Sequence, residues 1–89
     1  NYIDNKMDTI KLSFHISQKP YLVSLPLHSS QKEINPENDE TFDIKLLIHP
    51  NFEFSQQILK YGSLVKVLEP QWLAIEIKDE IIKSLNQYL

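Results

Sequence analysis

Hydrophobic and polar residues alternate in two stretches of the chain, a pattern typical of a β-strand with one buried face. The first stretch is TIKLSFHI, residues 9–16, and the second is TFDIKLLIH, residues 41–49. Between them, the more polar SSQKEIN, residues 29–35, favours a weaker strand at a sheet edge. We predict that this strand and residues 41–49 form an antiparallel hairpin, because PEND, residues 36–39, supplies turn residues between them.

Two helices are predicted in the segments that follow these strands. Ser17 can cap a short first helix that holds Pro20 in its first turn and stops before Pro26. A second helix should cover residues 52–61, where large apolar side chains recur at helical spacing. Gly62, the single glycine of the chain, follows where a left-handed C-cap is needed.

The last part of the chain predicts a strand and then a long helix. SLVKVLE, residues 63–69, has the strand pattern, and Pro70 suits the start of the helix that follows. The apolar stripe of this helix is broader than one contact with a small sheet requires, so a contact with another subunit or domain would use the surplus. Its two apolar rows are Leu73, Ile77, Ile81, Leu85 and Tyr88, and Ile75, Ile82 and Leu89.

This order of elements predicts the fold class. Strand, helix, strand, strand, helix, strand is the split βαβ, or ferredoxin-like, arrangement (βαββαβ) of an α+β protein, an antiparallel sheet with two helices on one face. We expect the domain to cover residues 9–89, with the polar residues 1–8 as a linker from a preceding domain. The extra C-terminal helix would pack across an edge or on the open face. That face should carry Lys11, Ser13, His15, Lys45, Leu47 and His49.

Composition narrows the function classes. The 89 residues suffice for one domain, and 42% hydrophobic with 24% charged residues is in the globular range. The net charge is −3 and arginine is absent, which makes the chain itself a poor candidate for binding duplex DNA. The lack of cysteine excludes disulfides and thiolate chemistry. No signal peptide or membrane span is expected, so we predict a cytoplasmic location.

The stretch LPLHSSQKE, residues 25–33, holds the most chemistry in the chain. A nucleophile and base pair is not expected here, because adjacent residues of a strand point to opposite faces and no orienting acid is marked out. An edge strand with solvated or backbone-bound polar groups is one interpretation. The other is contact with a ligand or a neighbouring domain. The residues concerned are His28, Ser30, Gln31 and Lys32.

Two histidines raise the question of a metal site. His15 and His49 should project from the open face on neighbouring strands, close enough to meet. A metal needs further ligands, and Asp43 is the obvious carboxylate on that face. We therefore expect solvated histidines, no metal and no cofactor.

Aromatic and basic side chains could instead hold a nucleic acid strand. Trp72 could stack on a base, but we expect it to anchor the last helix to the sheet, as Gly62 and Pro70 shape the ends of helices. A weak anionic ligand face is better assigned to lysines at outward strand positions, unless these are only solvated. These lysines are Lys11, Lys45 and Lys66.

Several of these pieces together resemble the C-terminal extension domain of bacterial WYL-domain transcriptional regulators. The resemblance covers residues 9–89, through IKLSF at residues 10–14, the His28, Ser30 and Gln31 pattern, and the helix, strand and helix sequence near the C-terminus. In that last part it rests on Gly62, Val65, Val67, Leu68, Pro70 and Trp72.

The resemblance implies a ferredoxin-like fold and a function. It implies a non-enzymatic module that dimerises and responds to an effector, preceded by WYL and helix-turn-helix domains that supply the DNA binding of the parent protein. Some family members are activated by single-stranded DNA held between the WYL and extension domains. Direct binding of a small ligand or single-stranded nucleic acid by the sheet face remains an alternative, and so does a small enzyme.

Overall fold

The computed structural model describes residues 6–89 of the chain. It has four strands and three α-helices in this range, with short 3-10 turns at Ile16–Gln18 and Gly62–Leu64. The predicted linker, residues 1–8, lies mostly outside the described residues. The elements are β1 (Asp8–His15), α1 (Lys19–Ser24), β2 (Lys32–Ile34), β3 (Thr41–Ile48), α2 (Phe52–Lys60), β4 (Val65–Glu69) and α3 (Gln71–Asn86).

The four strands form one antiparallel sheet. Its order is β2-β3-β1-β4, which places β1 and β3 in the centre and β2 at an edge. This order and the sequence of helices are those of a ferredoxin-like fold with an additional helix at the C-terminus. The predicted fold class, the β2-β3 hairpin and the edge position of β2 are confirmed.

One face of the sheet builds the core. The register of β1 and β3 sets Ile10 opposite Leu46 and Phe14 opposite Phe42, so the alternating apolar residues of both strands meet on one side. Phe14 stacks on Phe42 with ring centroids 5.8 Å apart and meets the edge of Tyr61 at 5.1 Å. The remaining members of this core include Leu12, Ile44, Ile48 and Val67.

All three helices contribute to this same core. Leu22 comes from α1, Ile58 from α2 and Leu73 from α3, and each is almost fully buried. The additional helix α3 contacts β4 and α2. It therefore lies on the helical side of the sheet, and the opposite face has no helix of the described residues packed on it.

Two local predictions are wrong. Helix α1 begins at Lys19 rather than after a cap at Ser17; instead the ring of His15 accepts a hydrogen bond from the Ser17 backbone N at 3.2 Å, which caps the preceding 3-10 turn. Strand β2 begins only at Lys32, because Ser29 and Ser30 lie in a turn. The turn allows side chains two residues apart to meet, which a strand would keep apart.

The residues predicted to shape helix ends are found at those ends. Gly62 has φ 58° directly after α2, a left-handed conformation that favours glycine. Pro70 is the N-cap of α3 and its carbonyl accepts from the backbone N of Ala74 at 3.2 Å. Trp72 packs against the core while only partly buried, and its neighbour Leu73 is the residue of α3 that is fully buried.

The second half of α3 extends beyond the core. Leu73 and Ile77 are its buried residues, and every residue from Lys78 to Leu89 is exposed. The breadth of the apolar stripe thus remains unused within the domain. In residues 6–89 no helix combines the length and the apolar character that a membrane crossing demands.

Candidate functional site

The helix-free face of the sheet is the candidate functional site. It is built by the residues that alternate with the core residues, so the same register that closes the core also arranges this surface. Its central strands expose mainly polar side chains, whereas their opposite side is apolar from Ile10 to Phe14 and from Phe42 to Ile48. The face includes Thr9, Lys11, Ser13, Lys32, Asp43, Lys45, Leu47 and Lys66.

Three lysines lie side by side across this face. Lys45 of β3 is directly opposite Lys11 of β1 on one side and Lys32 of β2 on the other. Directly paired residues have their Cβ atoms about 5 Å apart, so the three form a continuous lysine row over three strands. The sequence pattern predicted Lys11 and Lys45 on one face but not their direct pairing or the place of Lys32, because these depend on the register of the strands.

The lysine row is electrostatically unfavourable by itself. Like charges directly opposite each other destabilise a sheet. Lys11 is partly compensated by Glu69 of β4, with 3.6 Å between Nζ and Oε1. Within residues 6–89, neither Lys32 nor Lys45 has a carboxylate within ion-pair distance. The middle of the face therefore has positive charge available for an anion, although the whole chain has a net charge of −3.

Lys66 lies outside the lysine row. It is opposite Ser13, which in turn is opposite Asp43. Asp43 accepts a hydrogen bond from the side chain of Asn35 at 2.9 Å. Of the three lysines predicted to form an anionic ligand face, the structure thus brings Lys11 and Lys45 together and adds Lys32 in place of Lys66.

A shallow cleft of about 310 Å³ borders one end of the lysine row. Lys32 and Lys45 supply its basic side, Ser30 and Thr9 its hydroxyl groups, and Leu47 an apolar surface. This combination suits a ligand that has an anionic group and an apolar part. It places Lys32 and Ser30, two of the candidate residues from residues 25–33, beside the lysine row.

Ser30 is fixed at this position by hydrogen bonds on both sides. Its Oγ accepts from the backbone N of Leu47 at 2.9 Å and donates to the Leu47 carbonyl at 3.1 Å. The ring of His28 is 2.7 Å from the same oxygen, and its Nδ1 accepts from the backbone N of Ser30 at 3.1 Å. His28 therefore holds the turn that presents Ser30 to β3.

Gln31 fixes the other side of the turn. Its Oε1 accepts from the backbone N of Leu27 at 2.9 Å, and its Nε2 donates to the carbonyl of Leu22 at 3.1 Å. One amide thus connects the end of α1 to the start of β2. Among the four candidate residues of this stretch, Lys32 is the one whose charged group is exposed at the cleft without an ion-pair partner in residues 6–89.

The expectation that His15 and His49 lie close together is wrong. In the antiparallel pair of β1 and β3, His15 is opposite Thr41, and His49 follows Ile48 at the other end of the sheet. His49 lies beyond the end of β3, in a cleft beside Phe54 and Gln57 of α2, so the length of a strand separates it from His15. Among residues 6–89 no cluster of three or more histidine and carboxylate groups could hold a metal ion.

An acidic pair surrounds the single lysine of α1. Lys19 forms ion pairs with Glu37 and, at 3.3 Å, with Glu33 of β2. The hydrogen bond with Glu37 raises the pKa of Lys19 and lowers the pKa of Glu37, and partial desolvation opposes both shifts. These charges tie α1 to β2 and its loop, away from the lysine row.

The fold and this face together define a small α+β module with a helix-free, lysine-bearing sheet surface and an unused apolar helix face. The chain matches the family model of the WCX domain over residues 7–84. It belongs to the WCX domain family. No curated protein matches the chain.

Proposed function

We propose that this chain is the C-terminal dimerisation and effector-response module of a cytoplasmic WYL-type helix-turn-helix transcriptional regulator. The match to the WCX family over residues 7–84 supports this context. In the proposal the module performs no catalysis and needs no cofactor. Its partners are the WYL and helix-turn-helix domains of the same protein and a second copy of that protein, and DNA is bound through the parent protein.

The mechanism uses the helix-free face as the surface that meets the effector. An effector held between the preceding WYL domain and this face shifts the equilibrium between two arrangements of the paired modules. The arrangement of the modules sets the spacing of the two DNA-binding heads, to which half-site recognition is sensitive. The side chains of His28, Ser30 and Gln31 keep the rim of the cleft in shape, and Lys32 contacts the effector or the neighbouring domain.

The lysine row is the observation that carries this proposal. Two adjacent like-charge pairs at the centre of an otherwise acidic domain are unfavourable until an anion lies against them. An anionic effector would neutralise Lys32 and Lys45, which have no ion-pair partner in residues 6–89. Binding of the effector would then also stabilise the folded sheet.

The intact regulator provides the test of this function. Deletion of residues 9–89 should abolish the effect of the effector on operator binding, and Lys45→Ala should weaken it while the domain remains folded. Val23→Ala, at an exposed position of α1, is the matched control. The proposal fails if the deleted protein still responds to its effector, or if the protein has no helix-turn-helix and WYL domain.

A second candidate function uses the same lysines directly. In it the module alone binds a small anion or a single-stranded nucleic acid on its sheet face, without a WYL domain. Phosphate contacts are strongest at low salt, so NMR titration of the chain with a short single-stranded oligonucleotide and with inorganic phosphate in low-salt buffer discriminates the two. Saturable shifts at Lys11, Lys32 and Lys45 favour direct binding, and their absence removes it.

A further inference from the structure

The surface that the core leaves uncovered on α3 is mostly apolar, with Lys78 as a charged residue within it. Ile75, Ile81, Ile82 and Leu85 are 45–54% exposed, and Leu89 beyond the helix is 88% exposed. We call these five residues the α3 stripe. Isolated exposed apolar residues are ordinary, but a contiguous row along one helix marks an interaction surface.

The spacing of the α3 stripe suits another helix. Ile75, Ile82 and Leu89 are separated by seven residues, the repeat by which paired helices interlock. Leu85 lies between the last two of them, and Lys78 takes the corresponding place between the first two. Within the stripe, Ile75, Ile82 and Leu89 lie on the side of α3 away from the buried Leu73 and Ile77. Ile81 and Leu85 continue the row of those two buried residues beyond the core. A partner helix could therefore cover the stripe without displacing any contact of the core.

Three residues of the stripe, Ile75, Ile82 and Leu89, are symmetric about Ile82. If two α3 helices pair antiparallel around a two-fold axis at Ile82, Ile75 of each copy faces Leu89 of the other, and the two Ile82 side chains face each other. A two-fold homodimer requires a self-complementary surface, one that can pack against the same surface of a second copy. An unrelated partner domain would not require this symmetry.

The polar residues beside the stripe are compatible with that pairing. On one flank, Asp79 of each copy faces Asn86 of the other, where an amide can donate to a carboxylate. On the other flank, the aliphatic stem of Lys78 faces Leu85 and its ammonium reaches the C-terminal end of the partner helix, where cations are favoured. The two copies of Lys78 lie about 12 Å apart along the axis, given a rise of 1.5 Å per residue.

The exposed area is close to what a dimer needs. The α3 stripe and the adjacent Tyr88, which is 89% exposed, present on the order of 700 Å². One partner of a standard interface contributes about 800 Å². Residues 78–89 are exposed, so a partner helix can approach this part of α3. In an antiparallel pair the rest of each domain would lie at opposite ends of the two helices, so the domains would not overlap.

We propose that the α3 stripe is the self-association surface of this domain, formed by antiparallel α3 helices around a two-fold axis at Ile82. This inference rests on the dimerisation part of the proposed function and adds its residues and geometry. The second copy supplies the apolar contacts that the sheet does not offer to the second half of α3. The dimer thereby completes the burial of a helix that each copy buries only in its first half.

Sedimentation velocity of the chain from about 10 µM to 1 mM, a range that covers micromolar affinities, tests the association. The unmodified chain should dimerise, and Ile82→Glu should weaken the dimer at least tenfold because the two-fold axis sets the two carboxylates against each other. Val23→Glu places the same charge at an exposed apolar position of α1 and should leave the dimer unchanged. Circular dichroism checks that both variants fold.

Cysteine cross-linking tests the geometry, and the natural chain has no cysteine to interfere. With a short bis-maleimide, Ile82→Cys should form a homodimeric cross-link. Ile75→Cys and Leu89→Cys should each cross-link poorly alone but well when mixed. A dimer that persists in Ile82→Glu, or that cross-links equally at all three positions, overturns the inference and leaves dimerisation standing. A chain that is monomeric throughout overturns both.

Discussion

The Ser30 hydroxyl makes two hydrogen bonds with the backbone of Leu47, one to its N at 2.9 Å and one to its carbonyl at 3.1 Å. Lys32 is opposite Lys45 in the sheet, so the same register carried two residues further would set Ser30 opposite Leu47. Strand β2 does not extend to residue 30, and the side chain of Ser30 makes the hydrogen bonds to β3 that a backbone group would make in a longer strand. Ser30 thus lengthens the protected edge of β3 without lengthening β2.

We predict that Ser30→Ala destabilises the domain by about 1 kcal/mol, because the N–H and carbonyl of Leu47 both lose their partner. Urea unfolding at neutral pH measures the change. Ser29→Ala, at the exposed neighbouring position, should lie within a few tenths of a kcal/mol of the unmodified chain. Equal stability of the two variants would contradict a role for Ser30 in the sheet.

Gln31→Ala should be more costly, about 1–3 kcal/mol, because it leaves a backbone N–H at Leu27 and a carbonyl at Leu22 without their partner in a partly buried site. Gln31→Glu keeps the acceptor and loses the donor, so it should fall between Gln31→Ala and the unmodified chain. The effector response of the intact regulator should change only as far as stability does. A lost response at unchanged stability would instead make Gln31 a contact residue.

Lys45→Glu should raise the midpoint of urea unfolding, since it turns two like-charge pairs into two ion pairs, each worth a few tenths of a kcal/mol. The same variant should lose affinity for any anion that binds the lysine row. Lys60→Glu makes an equal change of charge in the last turn of α2 and should destabilise, because a cation is favoured there. A stabilised Lys60→Glu together with a destabilised Lys45→Glu would refute the importance of the row.

Gly62→Ala should cost about 1 kcal/mol through its backbone conformation alone. A Cβ at this position would meet no atom within 4 Å, so steric overlap adds nothing. Gly62→Asn should cost less, because asparagine tolerates the left-handed region better than alanine does. Thermal unfolding of the three chains gives the ranking, and a more stable Gly62→Ala would show that φ 58° is not maintained in solution.

The pair of Lys19 and Glu37 should make stability depend on pH at both extremes. The hydrogen bond lowers the pKa of Glu37, so its contribution is present above the ordinary carboxyl range and is lost as the pH falls through the lowered pKa. It raises the pKa of Lys19, so that contribution is lost only as the pH rises through the raised pKa. NMR titration of Lys19 should show a lower pKa in Glu37→Gln and no change in Glu40→Gln.

The sequence predicted the sheet well because alternation decides which side chains share a face. The buried faces of β1 and β3, the edge position of β2 and the left-handed Gly62 all followed from that pattern and from local backbone preferences. Alternation does not decide which residues lie side by side, because that depends on register. For this reason His15 and His49 were wrongly expected to meet, and Lys32 was not expected beside Lys45.

The turn before β2 shows a second limit. His28, Ser30 and Gln31 were predicted as a group, but their roles depend on backbone groups contributed by α1 and β3, which lie up to 17 residues away. Any residue type can supply a backbone N–H or carbonyl, so the sequence does not show which residue such a side chain will bond to. The pattern could mark the stretch and could not assign its individual hydrogen bonds.

The ion pair of Lys11 and Glu69 gives the lysine row a competitor within the same molecule. An anion that reaches Lys11 would take part of the counterion of Glu69, which lies one residue before the Pro70 cap of α3. Occupancy of the sheet face and the charge state at the base of the last helix are therefore linked through a single lysine. Both side chains are partly exposed, so this ion pair is a weak competitor, and an anion of high charge density should displace Glu69 most readily.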